Sequence, residues 1–83
     1  MTYKLYSLFD RVTATYGDII LAVNDDDAKR RVAYTLQSNP YKQDLVLYSL
    51  GVYDATQGVI SSSKAPVMVC NVVECYGDEV KDE

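Results

Sequence analysis

The sequence predicts an α+β domain in which a mostly antiparallel sheet of four to five strands packs against one helix, in the order β-β-α-β-β-β. Two observations support this prediction: short β-compatible runs are separated by turn residues, and one segment carries helix-start signals. The chain has 83 residues, the size of one domain. We expect residues 1–77 to form that domain and residues 78–83, DEVKDE, to form a flexible acidic tail.

Two predicted strands precede the helix. Residues 3–9 are β-compatible and contain no Gly or Pro, and residues 18–23, DIILAV, form the short apolar run typical of a strand buried on both faces. Residues 10–17 between them are interpreted as a turn or a loose hairpin. The tetrapeptide LYSL occurs at residues 5–8 and again at residues 47–50. We interpret the repeat as two strands that meet the same packing demand.

The predicted helix begins after Asn24, a good N-cap that is followed by three aspartates in the first turn. Ala28, Val32 and Leu36 repeat every four residues and predict its buried face. The Asn39–Pro40 dipeptide is expected to end the helix. Acids and bases four residues apart are expected to pair on its surface: Asp25 with Lys29, Asp26 with Arg30, and Asp27 with Arg31.

Three strands are predicted after the helix. Residues 44–53 form the first of them and lead into a hairpin turn, which Asp54 opens and in which Gly58 supplies a positive φ. Residues 59–62 and 67–74 are predicted as two further strands. The loop between these two strands contains Pro66, which cannot pair in the centre of a sheet.

Several predicted strands are apolar on both faces, whereas one helix covers only one face of a sheet. The simplest way to cover the other face is a second copy of the chain, so we expect a homodimer. A ligand that stacks on tyrosine rings is the other possibility, since the chain has eight tyrosines, one Phe and no Trp. Packing of the tyrosines in a small core and a dimer seam is the simpler explanation of the same composition.

The composition argues against several classes of protein. The chain has no histidine, which removes the commonest general base and metal ligand, and its four glycines form no phosphate loop. We therefore expect no enzyme activity, cofactor or metal. Cys70 and Cys75 match no common zinc or redox spacing and are expected to be one buried and one partly exposed thiol. No apolar run is long enough to span a membrane and no secretory signal is present, so we expect a cytoplasmic protein.

The charge is unevenly distributed. The formal net charge is −4, but four of the acids lie in the last six residues, and the rest of the chain is close to neutral. If the protein binds single-stranded nucleic acid, rings would stack on bases and cations would meet phosphates. Arg11 and Lys64 are further bases that could join such a groove. The residues predicted to form the site are Lys4, Tyr6, Arg30, Arg31, Tyr34, Lys42 and Tyr48.

Several segments together resemble a known family. They are KLYSLFD at residues 4–10, AVND followed by AKR at residues 22–30, NP at 39–40, DLVLYSLGVYDATQGVI at 44–60, and KAP at 64–66. In this order they resemble the small nonstructural protein of gokushovirus-like microviruses, which are bacteriophages with single-stranded DNA genomes. The resemblance covers about residues 3–70, and the acidic tail is outside it.

This resemblance implies a non-enzymatic protein of the host bacterial cytoplasm that is absent from the virion. It implies DNA binding and help in the switch of replication to single-strand genome production. It supplies no functional residue that can be carried over. An alternative from another class stays open: a protein-interaction regulator that docks on a viral replication protein, a host factor or an assembly protein without touching DNA. No membrane partner is expected in either case.

Overall fold

A computed structural model describes residues 1–76, and the predicted tail at 78–83 lies outside them. The described residues form one four-stranded antiparallel sheet with the strand order β2-β1-β3-β4, together with one α-helix and two short 3₁₀ helices. The predicted α+β class and the single helix are confirmed. The elements are β1 (Thr2–Asp10), β2 (Thr15–Ala22), α1 (Asp25–Thr35), a first 3₁₀ helix (Lys42–Asp44), β3 (Leu45–Asp54), β4 (Val59–Asn71) and a second 3₁₀ helix (Val72–Tyr76).

The prediction of three strands after the helix is wrong, because the last two are one strand. β4 runs through Pro66 without interruption and gives the order β-β-α-β-β. It lies at the edge of the sheet, where the missing N–H of proline needs no partner on the outer side. Its register with β3 shifts between the pairs Ser49–Val67 and Gly51–Ser62, so residues 63–66 form a bulge opposite Leu50.

The helix begins where the sequence predicts. The Oδ1 atom of Asn24 accepts a hydrogen bond from the backbone N–H of Asp27 at 2.8 Å, which caps the first turn. Ala28 and Val32 are buried as predicted, and Leu36 packs against the same core. The helix ends at Thr35, one turn before the predicted stop at Pro40. A turn over residues 36–38, closed by the Asn39 N–H and the Leu36 carbonyl at 2.9 Å, occupies the remaining segment.

The main core lies between the helix and one face of the sheet. Tyr6 and Leu47 supply its largest side chains from the central strands, and Val32 and Val72 meet them from α1 and the second 3₁₀ helix. Side chains from all four strands and both helical segments thus close over one side of the sheet. The buried cluster comprises Tyr6, Ala22, Ala28, Val32, Leu47, Cys70 and Val72.

The opposite side of the sheet is called the open face here, and the cross-strand register arranges its side chains in four rows. Leu5, Ser7 and Val46 at its centre are buried, whereas Ile19 and Ile60 at its borders are 62% and 60% exposed. The expectation that the helix leaves one apolar face uncovered is confirmed within the described residues. The rows are Tyr16, Phe9, Val46 and Asn71; Ile19, Ser7, Tyr48 and Met68; Leu21, Leu5, Gly51 and Ser62; and Tyr3, Tyr53 and Ile60.

Candidate functional site

Three aromatic rings meet at one end of the open face. The ring centroid of Phe9 on β1 lies 4.9 Å from that of Tyr16 on β2 and 6.1 Å from that of Tyr48 on β3. Tyr16 and Tyr48 are in edge contact with centroids 5.6 Å apart. These distances fall in the range of favourable aromatic pairs. The three rings, called the aromatic cluster below, form a continuous patch across three strands.

A bulge in the β1–β2 pairing brings Tyr16 into the cluster. Ser7 pairs with Ile19, so regular alternation would place Gly17 opposite Phe9. The register shifts by one residue between these positions, and Tyr16 pairs with Phe9 instead. The buried hydroxyl of Ser7 donates a hydrogen bond to the Gly17 carbonyl at 3.0 Å and holds the bulge in place.

A guanidinium borders the same end of the open face. Arg11 follows β1, and its backbone N–H donates to the Asp44 carbonyl at 2.9 Å. Its Nη2 atom donates to Oδ1 of Asn71 at 2.7 Å, and Asn71 lies in the row of Phe9. Arg11 therefore places a cation beside the aromatic cluster, with further N–H donors of its guanidinium available for an anion.

The rows of the open face contain no Asp, Glu, Lys or Arg, because they hold only apolar, tyrosine, serine, asparagine and glycine residues. Charged residues lie at its borders. Arg11 and Lys64 supply positive charge, and Lys64 is exposed in the β4 bulge. Asp18 in the β2 bulge and Glu74, whose Oε1 accepts from the Asn71 N–H at 3.1 Å, supply negative charge. The face is thus aromatic and neutral, with charges of both signs at its margins.

Tyr6 is not available as a stacking ring, and this part of the predicted site is wrong. Its side chain is 0% exposed in the core beneath the helix. Its hydroxyl donates a hydrogen bond to Oδ1 of Asp25 at 2.6 Å. Burial and then this bond to a carboxylate raise the pKa of Tyr6 above its usual value. Tyr6 is therefore a structural residue that joins β1 to the start of α1.

The basic residues predicted for the site lie on the helix side, away from Tyr48. Lys4 forms an ion pair with Asp25 at 3.6 Å. Arg30 and Arg31 both pair with Asp27, at 2.8 Å and 3.2 Å. The expected pair of Asp27 with Arg31 is confirmed, whereas Arg30 contacts Asp27 rather than the predicted Asp26.

Asp27 is the centre of a small polar network. Its carboxylate accepts hydrogen bonds from the Val23 N–H at 3.0 Å and from the two arginines. The bond from Val23, followed by that from Arg30, lowers the pKa of Asp27 to about 2. The arginines are thereby used in part to neutralise a local acid, although their side chains remain 82% and 57% exposed.

Two other predicted residues also lie outside the aromatic cluster. Tyr34 is 77% exposed on α1 and shares the helix surface with Arg30. Lys42 lies in the first 3₁₀ helix, and its Nζ atom donates to the Gln37 carbonyl at 3.1 Å. The predicted set is therefore split between two sides of the molecule, and only Tyr48 belongs to the open face.

The sequence interpretation missed Phe9 and Tyr16 as site residues. Alternation places Phe9 with Leu5 and Ser7, but residues 10–17 were expected to form a turn, and β2 in fact begins at Thr15. No local signal predicts the bulge that turns Tyr16 toward Phe9. Arg11, one of the further bases named from the sequence, lies at the same end of the open face as the rings, where it bonds to Asn71.

The two cysteines lie together where β4 meets the second 3₁₀ helix. Both are free thiols, Cys70 buried and Cys75 partly exposed, as predicted. Their sulfur atoms are 3.7 Å apart. Burial raises the pKa of Cys70, and burial together with the neighbouring sulfur raises the pKa of Cys75 to about 12. Both thiols are therefore protonated near neutral pH.

Two aspartates open turns, and Asp54 does so as predicted. Oδ1 of Asp10 accepts from the Val12 N–H at 2.8 Å, and Oδ1 of Asp54 accepts from the Thr56 N–H at 2.9 Å. Gly58 has a φ of 70°, as its predicted turn position requires. Across residues 1–76 no helix is long and apolar enough to cross a membrane, and no group of three or more acidic or cysteine side chains is placed to hold a metal.

Comparison with known proteins places the chain in a family. A family model described as "Phage ORF5 protein" matches residues 3–75, which is most of the chain. The match includes all four strands except Thr2, the first residue of β1. No curated protein and no solved structure gives a significant match.

Proposed function

The chain belongs to the Phage ORF5 protein family, and from this premise we propose that it is a non-enzymatic phage protein that binds single-stranded DNA on the open face of its sheet. The observation that carries the proposal is the aromatic cluster of Phe9, Tyr16 and Tyr48 with the Arg11 guanidinium beside it. Rings bind unpaired bases of any sequence by stacking, and a nearby cation attracts the phosphates.

The architecture supports the same proposal. Four-stranded antiparallel sheets with a helical layer on one side bind single-stranded RNA in other proteins by stacking two or three bases on exposed rings. Here Phe9 and Tyr48 lie on β1 and β3, the two central strands of the sheet. The similarity is one of architecture. It favours binding of single-stranded rather than duplex DNA, because bases stacked in a duplex leave no free face for a protein ring.

The finer biological role rests on the resemblance to microvirus nonstructural proteins. We propose that the protein acts in the cytoplasm of the host bacterium and favours single-strand genome production by occupying the displaced strand. Stacking contributes about 1–3 kcal/mol per base, and one or two phosphate contacts give a logarithmic salt slope of only about −0.7 to −1.4. Binding of this kind is moderate in strength and weakly salt-dependent.

Fluorescence anisotropy of a labelled oligothymidine tests the proposal. We expect binding by the wild-type protein, a preference over duplex of equal length, and a loss of about 5- to 150-fold in affinity for Tyr48→Ala. Tyr34→Ala is the matched control, because Tyr34 is an exposed tyrosine on the opposite side of the molecule. Absence of wild-type binding, or equal losses in the two variants, contradicts the proposal.

A second candidate function is docking of another protein on the same face, either a second copy of this chain or a viral replication protein. The absence of Asp, Glu, Lys and Arg from the rows of the open face favours it, since apolar and tyrosine-rich patches are typical of protein interfaces. Light scattering as a function of protein concentration separates the candidates. A tight dimer that Tyr48→Ala dissociates, with no DNA binding, favours docking.

A further inference from the structure

A second pair of tyrosines lies at the far end of the open face. Tyr3 on β1 and Tyr53 on β3 are cross-strand partners, and Ile60 on β4 continues their row. Both tyrosine side chains are partly exposed. The row of Tyr48 and the row of Tyr53 are separated by one intervening row, a distance of roughly 13 Å along the strands.

In the intervening row, the residues from β3 and β4 have small side chains. It contains Gly51 and Ser62, which are cross-strand partners with little or no side chain. A Cβ atom at Gly51 would meet the Cα atom of Ser62 at 2.8 Å, so the close approach of β4 leaves no room for a larger residue. Gly51 is buried and Ser62 is exposed, and neither places a bulky side chain between the row of Tyr48 and the row of Tyr53.

Two cations border this part of the open face, while Asp18 and Glu74 border the same face as acids. Arg11 lies at the end occupied by the aromatic cluster, and Lys64 lies in the β4 bulge at the level of Leu50, between Tyr48 and Tyr53. Asp54 follows Tyr53, but its Oδ1 atom is engaged by the backbone N–H groups of Thr56 and Gln57 at 2.9 and 3.2 Å. The far end of the open face thus continues the proposed DNA surface, with Arg11 at the end of the aromatic cluster and Lys64 level with Leu50.

We propose that Tyr3 and Tyr53 form a second base-stacking subsite, so that single-stranded DNA runs along β1 and β3 from the aromatic cluster to the far end of the sheet. This inference rests on the proposed DNA-binding function. It predicts that the site has two parts: a short oligonucleotide fills the cluster alone, and a longer one also reaches Tyr53. The site size then falls at the lower end of the range of about 4–16 nucleotides typical of a small single-strand-binding domain.

Oligothymidines of about four and about twelve nucleotides, titrated by anisotropy, test the inference. We expect Tyr53→Ala to weaken binding of the longer oligonucleotide by about 5- to 150-fold and to leave the shorter one unchanged. Tyr48→Ala is expected to weaken both. Tyr53→Phe keeps the ring and is expected to restore binding of the longer oligonucleotide, and thermal unfolding of each variant confirms that it is folded.

The outcomes separate this inference from the proposed function. If Tyr48→Ala weakens binding while Tyr53→Ala binds both lengths as the wild type does, the second subsite is overturned and DNA binding at the cluster stands. If Tyr53→Ala weakens both lengths equally, the two-part path is overturned. If the wild type binds neither oligonucleotide, the proposed function and the second subsite fall together.

Discussion

Tyr6 and Tyr48 hold the same position in the two copies of LYSL, lie on neighbouring strands, and point to opposite faces of the sheet. Tyr6 pairs with Ser49, whereas Tyr48 pairs with Ser7, so each tyrosine of the two antiparallel tetrapeptides lies opposite the serine of the other copy. Tyr6 is completely buried under the helix, and Tyr48 belongs to the aromatic cluster. The interpretation of the repeat as one packing demand met twice is therefore wrong. The same four residues serve a core in one strand and a surface in the other.

We expect removal of the Tyr6 hydroxyl to lower stability and to leave the proposed DNA binding unchanged. Tyr6→Phe loses the hydrogen bond to Asp25, and we expect a decrease of about 1 kcal/mol in the free energy of unfolding in urea. The folded-state pKa of Tyr6 is raised above 10, so its contribution is complete below pH 10 and is lost as the pH rises beyond that value. In Tyr6→Phe we expect this loss of stability above pH 10 to be absent. Reduced DNA affinity in this variant would contradict the assignment of Tyr6 to the core alone.

The Asp27 network is sensitive to acid. Because the folded-state pKa of Asp27 is lowered to about 2 from its usual 3.8, its stabilisation is complete above pH 3.8 and is lost as the pH falls from about 4 to about 2. We expect Asp27→Asn to lower the midpoint of urea unfolding at pH 7. We also expect the stability of this variant to fall less than that of the wild type between about pH 4 and about pH 2. Asp26→Asn, at an exposed neighbour in the same turn, is the control and is expected to have little effect.

If the open face binds single-stranded DNA as proposed, we expect the charge at its margin to set the salt dependence of that binding. Arg11→Gln is expected to weaken binding at low salt and to reduce the logarithmic salt slope by about 0.7, the contribution of one phosphate contact in a single strand. Asp18→Asn, which removes an acid beside Tyr16, is expected to strengthen binding at low salt only. Anisotropy at two or more salt concentrations measures both effects. A slope unchanged by Arg11→Gln would place the phosphate contacts elsewhere.

Gly51 and Gly58 differ in what an added methyl group meets. Gly51→Ala brings a Cβ atom against the backbone of Ser61 and Ser62, so β4 must move, and we expect a loss of about 1–3 kcal/mol. At Gly58 a Cβ atom meets nothing within 4 Å, and only the positive φ of 70° opposes alanine, at about 1 kcal/mol. Urea unfolding of the two variants is the measurement. Equal losses of stability in the two variants would contradict the close contact between Gly51 and the backbone of β4.

The thiols are expected to react slowly in the folded protein. With a pKa of about 12, roughly one Cys75 thiol in 10⁴ is ionised at pH 8, and the pKa of Cys70 is also raised. Iodoacetamide is expected to alkylate both cysteines many times faster in urea than in buffer, as mass spectrometry can follow. Cys70→Ser and Cys75→Ser assign each rate to one residue. Rapid modification of the folded protein at pH 8 would contradict the raised pKa values of the two thiols.

The parts of the structure that were predictable depend on local chemistry. Asn24 caps the helix, and Asp10 and Asp54 bond to nearby N–H groups, so short stretches of sequence are sufficient to place them. The site depends on register instead. Whether Phe9 meets Gly17 or Tyr16 is decided by a one-residue bulge, and a one-residue shift moves a side chain to the other face. Pairing between distant strands has no local signature, which is why Tyr6 was assigned to the surface.

The break in the pairing of β4 at residues 63–66 also limits how the molecule aggregates. One edge of the sheet carries Pro66, an exposed Lys64 and an irregular backbone, all of which obstruct strand addition by another chain. The other edge, β2, exposes Ile19 and Leu21 and has neither proline nor lysine. Among the described strands we therefore expect any edge pairing between copies to join β2 to β2. Such pairing would close after two molecules and would not extend into a fibre.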